Sequence, residues 1–243
     1  MMNTLGVDIS TWQDSPLITG HIKFDVMKLE GVEFVFVKSS QAAFTDPDFP
    51  LNWQAAKAAG LLRGAYHYFD WSKPALEQAR YFSALLKDDP GELPPVVDYE
   101  CRKNVPSAGT ARLALRTFLE EFKRLSGRTP ILYTSPGYWA EFGSADGYWL
   151  QYSLWIAHYY VSKPTVPKPW TGWTFWQYTD KGDGLAYGVE TKQLDMNVFD
   201  GNVDSLHQFA GVTIPLIPPP PKDWRWSVTD FLQGLGYCGP NPE

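Results

Sequence analysis

Lys57-Ala58-Ala59-Gly60 running into Gly64-Ala65-Tyr66-His67-Tyr68-Phe69 is the stretch whose reading decides the fold. It joins an amphipathic helix to an apolar strand, and the Gly between them can take the left-handed conformation that caps a helix end. The same grammar recurs at Lys28-Leu29-Glu30-Gly31 before Glu33-Phe34-Val35-Phe36-Val37, and at Leu125-Ser126-Gly127 before Pro130-Ile131-Leu132-Tyr133-Thr134. Helix starts fit the scheme: Asp46-Pro47, Ser72 followed by Pro74, and Ser135-Pro136 each offer a capping oxygen and a Pro for the first turn. Leu115, Phe118, Leu119 and Phe122 form an i, i+3, i+4, i+7 stripe, the pattern of a helix face turned to a core.

Strand and helix alternating, with near-continuous apolar strands, implies a parallel sheet covered by helices. Five β/α units fit by about Phe142. Three further strand candidates follow, Ser153–His158, Trp173–Tyr178 and Gln193–Val198, and the Pro-, Gly- and Lys-rich connections between them carry no helical stripe. The expected fold is therefore α/β, an irregular TIM-like barrel of five β/α units followed by three β-strands with few helices. Residues 1–211 form this barrel in the reading. Residues 212–221, with Pro215-Leu216-Ile217-Pro218-Pro219-Pro220-Pro221, are a polyproline-type linker. Residues 222–243 are a tail too short to bury a core unaided, either docked on the barrel or the start of a truncated further module.

Pro94-Pro95-Val96-Val97-Asp98-Tyr99-Glu100 is an apolar strand ending in two carboxylates spaced i, i+2. Residues two apart on a strand share a face, so the acids project together from its carboxyl end. Mutual repulsion raises the pKa of one of them, which keeps a carboxyl protonated near neutral pH and able to act as a general acid. By itself the motif is equally a solvated edge or a cation site. Barrel sites, however, lie at the carboxyl ends of the strands. The first strand ends in Asp8 and the last carries Asp195, so four acids converge on one mouth.

Composition excludes several classes. A chain of 243 residues, 44% hydrophobic and 20% charged, suffices for one large domain with a core. The net charge of −6 and the lack of a basic stripe argue against a nucleic-acid surface. Met1 to Thr4 lead straight into Leu5-Gly6-Val7-Asp8-Ile9 without a signal peptide, and no run is long enough to cross a membrane. Two cysteines, Cys101 and Cys238, are expected as free thiols. Histidines 67 and 158 stand alone in apolar strands without ligand spacing, so neither a metal nor a cofactor is expected. Asp180-Lys181-Gly182-Asp183-Gly184 reads as a plain turn. Eleven Trp among 16% aromatics are heavy for a core alone; a cleft that stacks on sugar rings is one use for them and a large apolar core the other.

Gly6-Val7-Asp8-Ile9-Ser10, Val96-Val97-Asp98-Tyr99-Glu100 and Leu194-Asp195-Met196-Asn197, in this order, resemble the family 25 glycoside hydrolases, the Chalaropsis-type lysozymes. The resemblance spans roughly residues 3 to 210 and takes in Tyr66–Phe69, Leu132–Thr134, Leu154–Ala157 and Phe175–Tyr178. It implies a flattened barrel of five β/α units and three strands. It also implies an N-acetylmuramidase that cleaves peptidoglycan at the β-1,4 bond between N-acetylmuramic acid and N-acetylglucosamine. On that resemblance Glu100 is the general acid, Asp98 its partner that steadies the substrate acetamido group or the intermediate, and Asp8 and Asp195 are supporting acids. One departure is local: many members carry a Lys-Ala-Thr-Glu-Gly-like run after the second strand, where this chain has Lys38-Ser39-Ser40-Gln41-Ala42.

Lys38 either touches substrate or pairs with an acid. Tyr66, Tyr68, Tyr133, Trp155, Trp176, Gln177 and Tyr178 near the strand ends are the candidate substrate contacts, each also able to serve as core. Two alternatives stay open, another barrel glycosidase such as a chitinase or glucosaminidase, and a catalytically silent wall-binding module. The expected partner is bacterial peptidoglycan, with no nucleic acid, no membrane insertion and a monomeric chain. A wall-degrading barrel without a signal peptide suggests an endolysin-like, phage-encoded protein released from the host cytoplasm, or a secreted enzyme whose signal has been trimmed.

Overall fold

Helices that end in a left-handed Gly hand the chain directly to a buried strand, and in this computed structural model they do so at Gly31, Gly60 and Gly127, with φ of 85°, 73° and 70°. The structure describes residues 3–13 and 22–212; the linker from residue 213, the tail and Cys238 lie outside the described residues. The elements run β1 (Thr4–Ile9), α1 (Phe24–Leu29), β2 (Phe34–Gln41), β3 (Phe44–Thr45), α2 (Phe49–Ala58), β4 (Leu62–Tyr68), α3 (Ala75–Leu85), β5 (Val96–Asp98), α4 (Ala108–Ser126), β6 (Ile131–Thr134) and α5 (Pro136–Phe142). They continue with β7 (Leu154–Ala157), β8 (Phe175–Asp183), β9 (Gln193–Phe199) and α6 (Val203–Ala210).

The strands follow the order β1-β9-β8-β7-β6-β5-β4-β2, and pairing of β1 with β2 closes an eight-stranded barrel. Neighbours from β1 through β2 and β4 to β8 are parallel, whereas β9 runs antiparallel to both β8 and β1. Five β/α units followed by three strands is the expected architecture.

Three local features differ from expectation. A short strand, β3, folds back on the end of β2 (Gln41 opposite Phe44). The Asp180–Asp183 segment is not a turn, because β8 continues through it paired to β9, with Gly182 opposite Leu194. A sixth helix, α6, follows β9, capped by Asn202, whose Oδ1 accepts from Ser205 N at 2.9 Å. Of the three expected caps only Ser135 acts as one, its Oγ accepting from Tyr138 N at 3.2 Å. Asp46 instead accepts from the backbone of Asp48 and Thr11, and Ser72 is itself held through its N–H by Asp70 Oδ1.

Period-two alternation divides the core in two. Val7, Ile9, Val35, Val37, Ala65, Val97, Leu132, Leu154 and Ile156 point outward and pack under the helices, where the α4 stripe Leu115, Phe118, Leu119 and Phe122 is fully buried. Phe34, Phe36, Val96, Ile131, Trp155, Phe175 and Phe199 point inward and plug the barrel. The plug is aromatic: Phe36 stacks on Trp155 at 4.3 Å and meets Phe175 edge-on at 5.1 Å. Room for these rings comes from Gly6 and Gly64, where an added Cβ would fall 2.2 Å from the Phe34 ring and 2.4 Å from the Phe36 ring.

The end opposite the acids is pinned by two arginines. Arg63, buried on β4, donates to Asp89, Glu92 and the Trp53 carbonyl and lies 4.4 Å over the Trp53 ring. Arg128 donates to four successive carbonyls, Pro90 to Leu93. Together they fix the loop that feeds β5, and so fix the strand that carries Asp98.

Because the plug is close-packed, Gly64→Ala is expected to lower stability by about 1–3 kcal/mol through overpacking. Urea unfolding should show a lower midpoint with an unchanged slope.

Candidate active site

The register of the strands decides which acids meet. Asp8 on β1 lies directly opposite Asp195 on β9, an antiparallel pair that sets two like charges side by side. Asp98, the last residue of β5, stands between Tyr68 on β4 and Tyr133 on β6, and Glu100 follows two residues on. In the ring of eight strands β5 lies four strands from β9 in either direction. Asp98 and Glu100 therefore rise from one wall of the mouth, and Asp195 with Asp8 from the other.

Above the aromatic plug these residues line a cleft of about 350 Å³. Of the sequence candidates, Asp8, Asp98, Glu100, Asp195, Lys38, Tyr66, Tyr68, Tyr133, Trp155 and Gln177 all line it. Trp176 and Tyr178 do not. They flank Gln177 on β8, so alternation turns them outward, where they pack against the outer core and the Trp176 indole donates to the His158 carbonyl at 2.9 Å. Ser10, Trp12, Gln13 and Tyr159 line the cleft as well, from the segments that follow β1 and β7. Sequence reasoning passed over these four because it searched within strands. The rule that barrel sites are built from the loops beyond strand ends would have found them.

A directed network fixes the seam wall. Tyr133 and Tyr159 hydroxyls both donate to Gln177 Oε1 at 2.7 Å, which turns the Gln177 amide nitrogen to Asp8 Oδ2, also at 2.7 Å. Asn197 donates to the same Asp8 oxygen at 2.7 Å and accepts from the Trp155 indole at 2.8 Å. With Oδ2 engaged twice, Oδ1 is the Asp8 oxygen able to carry a proton. On the other wall Asp98 Oδ1 is buried and finds no hydrogen-bond donor among the described residues. A buried acceptor left so is costly unless a bound molecule supplies the donor.

The electrostatics follow from burial and crowding. Burial, then Asp195, hold the Asp8 carboxyl well above the ordinary range, against the pull of its two amide donors. Burial and then Glu100 raise Asp98 well above it, with Lys38 opposing. Glu100 is raised by burial and drawn down by Lys38, and Asp195 is pushed to about 6 by burial, Asp180 and Glu100. Among the described residues lining the cleft Lys38 is the only cation. Such a site holds protons at neutral pH on groups that are usually ionised, the condition for general acid catalysis. Among the described residues no group of three or more His, Cys, Asp or Glu is arranged to hold a metal ion, and no helix is long and apolar enough to cross a membrane. Cys101, next to Glu100, is a buried free thiol.

The chain is similar to known proteins over most of its length. The model of the family described as glycosyl hydrolases family 25 matches residues 7–185. An uncharacterized protein, YegX, of Escherichia coli strain K12 is 34% identical over 210 residues, covering 84% of this chain and 72% of its own length. Lysozyme M1 of Streptomyces globisporus is 31% identical over 222 residues, covering 86% of this chain and 71% of its own length. Among solved structures, the bacterial lysozyme from Streptomyces coelicolor superposes with a TM-score of 0.74 at 28% identity, covering 86% of this chain and 98% of that one.

The raised acids make stability depend on pH. Asp195 titrates near 6 in the folded chain and near 3.8 when unfolded, so its contribution is fully present below 3.8 and is lost as pH rises through 6. Asp195→Asn removes that loss. Its thermal midpoint relative to wild type should therefore climb as pH goes from about 3.5 to 7.5, by roughly 2–4 °C for each kcal/mol relieved. A mutant-to-wild-type difference that stays constant across this range would refute the assignment.

Proposed function

The chain belongs to glycosyl hydrolases family 25 and is a glycoside hydrolase, and from that premise we propose that it is a peptidoglycan hydrolase of the N-acetylmuramidase type, cutting the β-1,4 bond between N-acetylmuramic acid and N-acetylglucosamine. The observation that carries the reading is the pair of carboxylate walls across one cleft, Asp98 and Glu100 facing Asp8 and Asp195. Its place of action is then the bacterial cell wall.

Glycoside cleavage needs a proton for the departing oxygen and negative charge for an oxocarbenium-like centre. Glu100, at the strand's end with its pKa raised by burial, gives the proton. Asp98, two residues back on the same wall, is badly placed to act from the opposite side of the sugar. Its unpartnered Oδ1 suits another task, to accept the N–H of a 2-acetamido group. That contact aims the acetamido oxygen at C1. The oxygen attacks as the glycosidic bond breaks, and Glu100, now a carboxylate, takes a proton from the water that opens the cyclic intermediate. The product keeps the β configuration. Asp195, ionised above about pH 6, supplies the negative charge beneath the ring, and Asp8, held protonated by burial and locked by Gln177 and Asn197, fixes the wall on which it stands. Tyr66, Tyr68, Tyr133 and Trp155 form the floor and sides against which the sugar packs.

One observation favours a second reading. Asp195 stands on the wall opposite Glu100 and titrates near 6, which fits a base that activates water for direct, inverting attack. Proton NMR of the first-formed product separates the two: β-anomer is expected, and α-anomer would transfer the second role to Asp195.

Glu100→Gln should cut kcat on peptidoglycan by about 10²–10⁴ with little change in KM, the usual size of a general-acid contribution. Clearing of cell-wall suspensions at the wild-type rate would remove Glu100 from the mechanism. Mass spectrometry of reduced digests fixes the bond: muramitol-ended fragments are expected, and glucosaminitol-ended ones would mean a glucosaminidase.

A further inference from the structure

Lys38 is the only cation among the described residues lining a cleft of four carboxylates, and what aims it is a residue the mechanism above does not use. In a regular strand residues 38 and 41 would face opposite sides of the sheet. Here the pairing of β2 with β4 slips between Lys38 and Ser40, a bulge that sets Lys38 opposite Tyr66 and Gln41 opposite Tyr68. Both of those tyrosines line the cleft, so the bulge brings Lys38 and Gln41 to the same face. There the Lys38 ammonium donates to Gln41 Oε1 at 3.1 Å, and Gln41 Nε2 donates to Asp70 Oδ2 at 2.8 Å.

The direction of this chain is fixed by chemistry. Burial alone would raise Asp70, yet hydrogen bonds from Gln41 and Ser72 hold it below the ordinary carboxylate range, and an ionised carboxylate only accepts. The amide nitrogen of Gln41 must then face Asp70 and its oxygen must face Lys38. A neutral oxygen steers an ammonium without cancelling its charge. A carboxylate at the same place would cancel it and would also repel Asp70.

We propose that Gln41 is a positioning residue of this site, a neutral tether that holds the Lys38 ammonium in the cleft as an uncancelled cation facing Glu100 and Asp98. Around Lys38 stand Asp98 and Glu100 from the end of β5, Asp46 from the turn before α2, Asp70 from the loop after β4, the Tyr68 ring at 5.2 Å, and His67, which burial keeps neutral with a pKa of about 4. Asp8 and Asp195 lie on the far wall, and the charge of Lys103 also draws Asp70 down. With so many acids and one cation, the orientation of that cation sets how tightly the Glu100 proton is held. The role rests on the hydrolase reading for its consequence in turnover, though not for its effect on Glu100 itself.

The test measures Glu100 directly, by carboxyl-carbon NMR titration of the substrate-free protein, with thermal unfolding to confirm that each variant folds. Gln41→Glu, which neutralises Lys38, and Gln41→Met, which frees it, should each raise the Glu100 midpoint by about half a pH unit or more. Lys38→Met should raise it at least as far, and in that background Gln41→Met should add nothing. The alkaline limb of the peptidoglycan pH–rate profile should move upward with the NMR midpoint. If both Gln41 variants fold and leave the Glu100 midpoint at the wild-type value, Gln41 is only structural and the proposal fails. If Gln41→Met still shifts the midpoint when Lys38 is gone, Gln41 acts by another route and the proposal also fails. Wild-type protein that releases no glycan from peptidoglycan would instead overturn the hydrolase reading and leave the titration result to stand or fall separately.

Discussion

Everything in the cleft depends on how the barrel closes. Seven of the eight barrel strands run parallel, and only β9, inserted antiparallel between β8 and β1, completes the ring. Its register sets Asp195 against Asp8, a juxtaposition that costs energy as a cross-strand pair. The seam holds because one carboxylate oxygen ties three strands: Asp8 on β1 accepts from Gln177 on β8 and Asn197 on β9. Gln177 and Asn197 are in turn aimed by Tyr133, Tyr159 and Trp155, so the acid that strains the seam is also the acceptor that organises it.

Below the seam the aromatic plug performs two tasks at once. It supplies apolar burial that a small barrel can hold only if some strands carry no side chain, hence Gly6 beneath Phe34 and Gly64 beneath Phe36. It also forms a dry floor under the carboxylates, and burial is the first cause of every raised acid in the cleft. Structure and chemistry thus occupy opposite ends of the same strands. The arginine clamps Arg63 and Arg128 hold the closed end rigid, while the strand tips spend stability on repulsion.

Much of this was legible in the chain because it is local. Gly60 and Gly127 end helices for a stereochemical reason that needs no partner, and the α4 stripe Leu115 to Phe122 declares its buried face by spacing alone. Asp8, Asp98 and Glu100 were placed at strand ends and Asp195 within the last strand, and all four line the cleft. What escaped depends on parity and on distant partners. Trp176 and Tyr178 were candidates for either sugar contact or core by their place near a strand end, and they are core: each differs by one residue from Gln177, and one residue reverses the face of a strand. Ser72 does not cap because α3 begins at Ala75 with Pro74 in the cap position, two residues beyond it, and the bulge between Lys38 and Ser40 is visible only in the pairing with β4. The run Asp180–Asp183, with two acids and a Gly, is turn chemistry by composition, and only the long partner β9 makes it a strand.

That bulge shows why a conservative-looking replacement can matter more than its local context implies. The run Lys38-Ser39-Ser40-Gln41 carries two serines whose hydroxyls face away from the cleft, Ser39 to the Tyr66 carbonyl at 2.9 Å and Ser40 to His67 Nδ1 at 2.9 Å. His67 passes the contact to Gln78 at 3.0 Å, and Gln78 holds the backbone of Asp70 and Lys73. The loop that presents Asp70 to Gln41 is therefore anchored by a buried histidine, which burial keeps neutral down to about pH 4. Two hydrogen-bonded routes leave the same bulge, one through the core and one through the cleft, and both end on Asp70. A loop fixed from both sides gives Gln41 a stationary acceptor, and a stationary acceptor is what lets a neutral amide hold a flexible lysine to one direction.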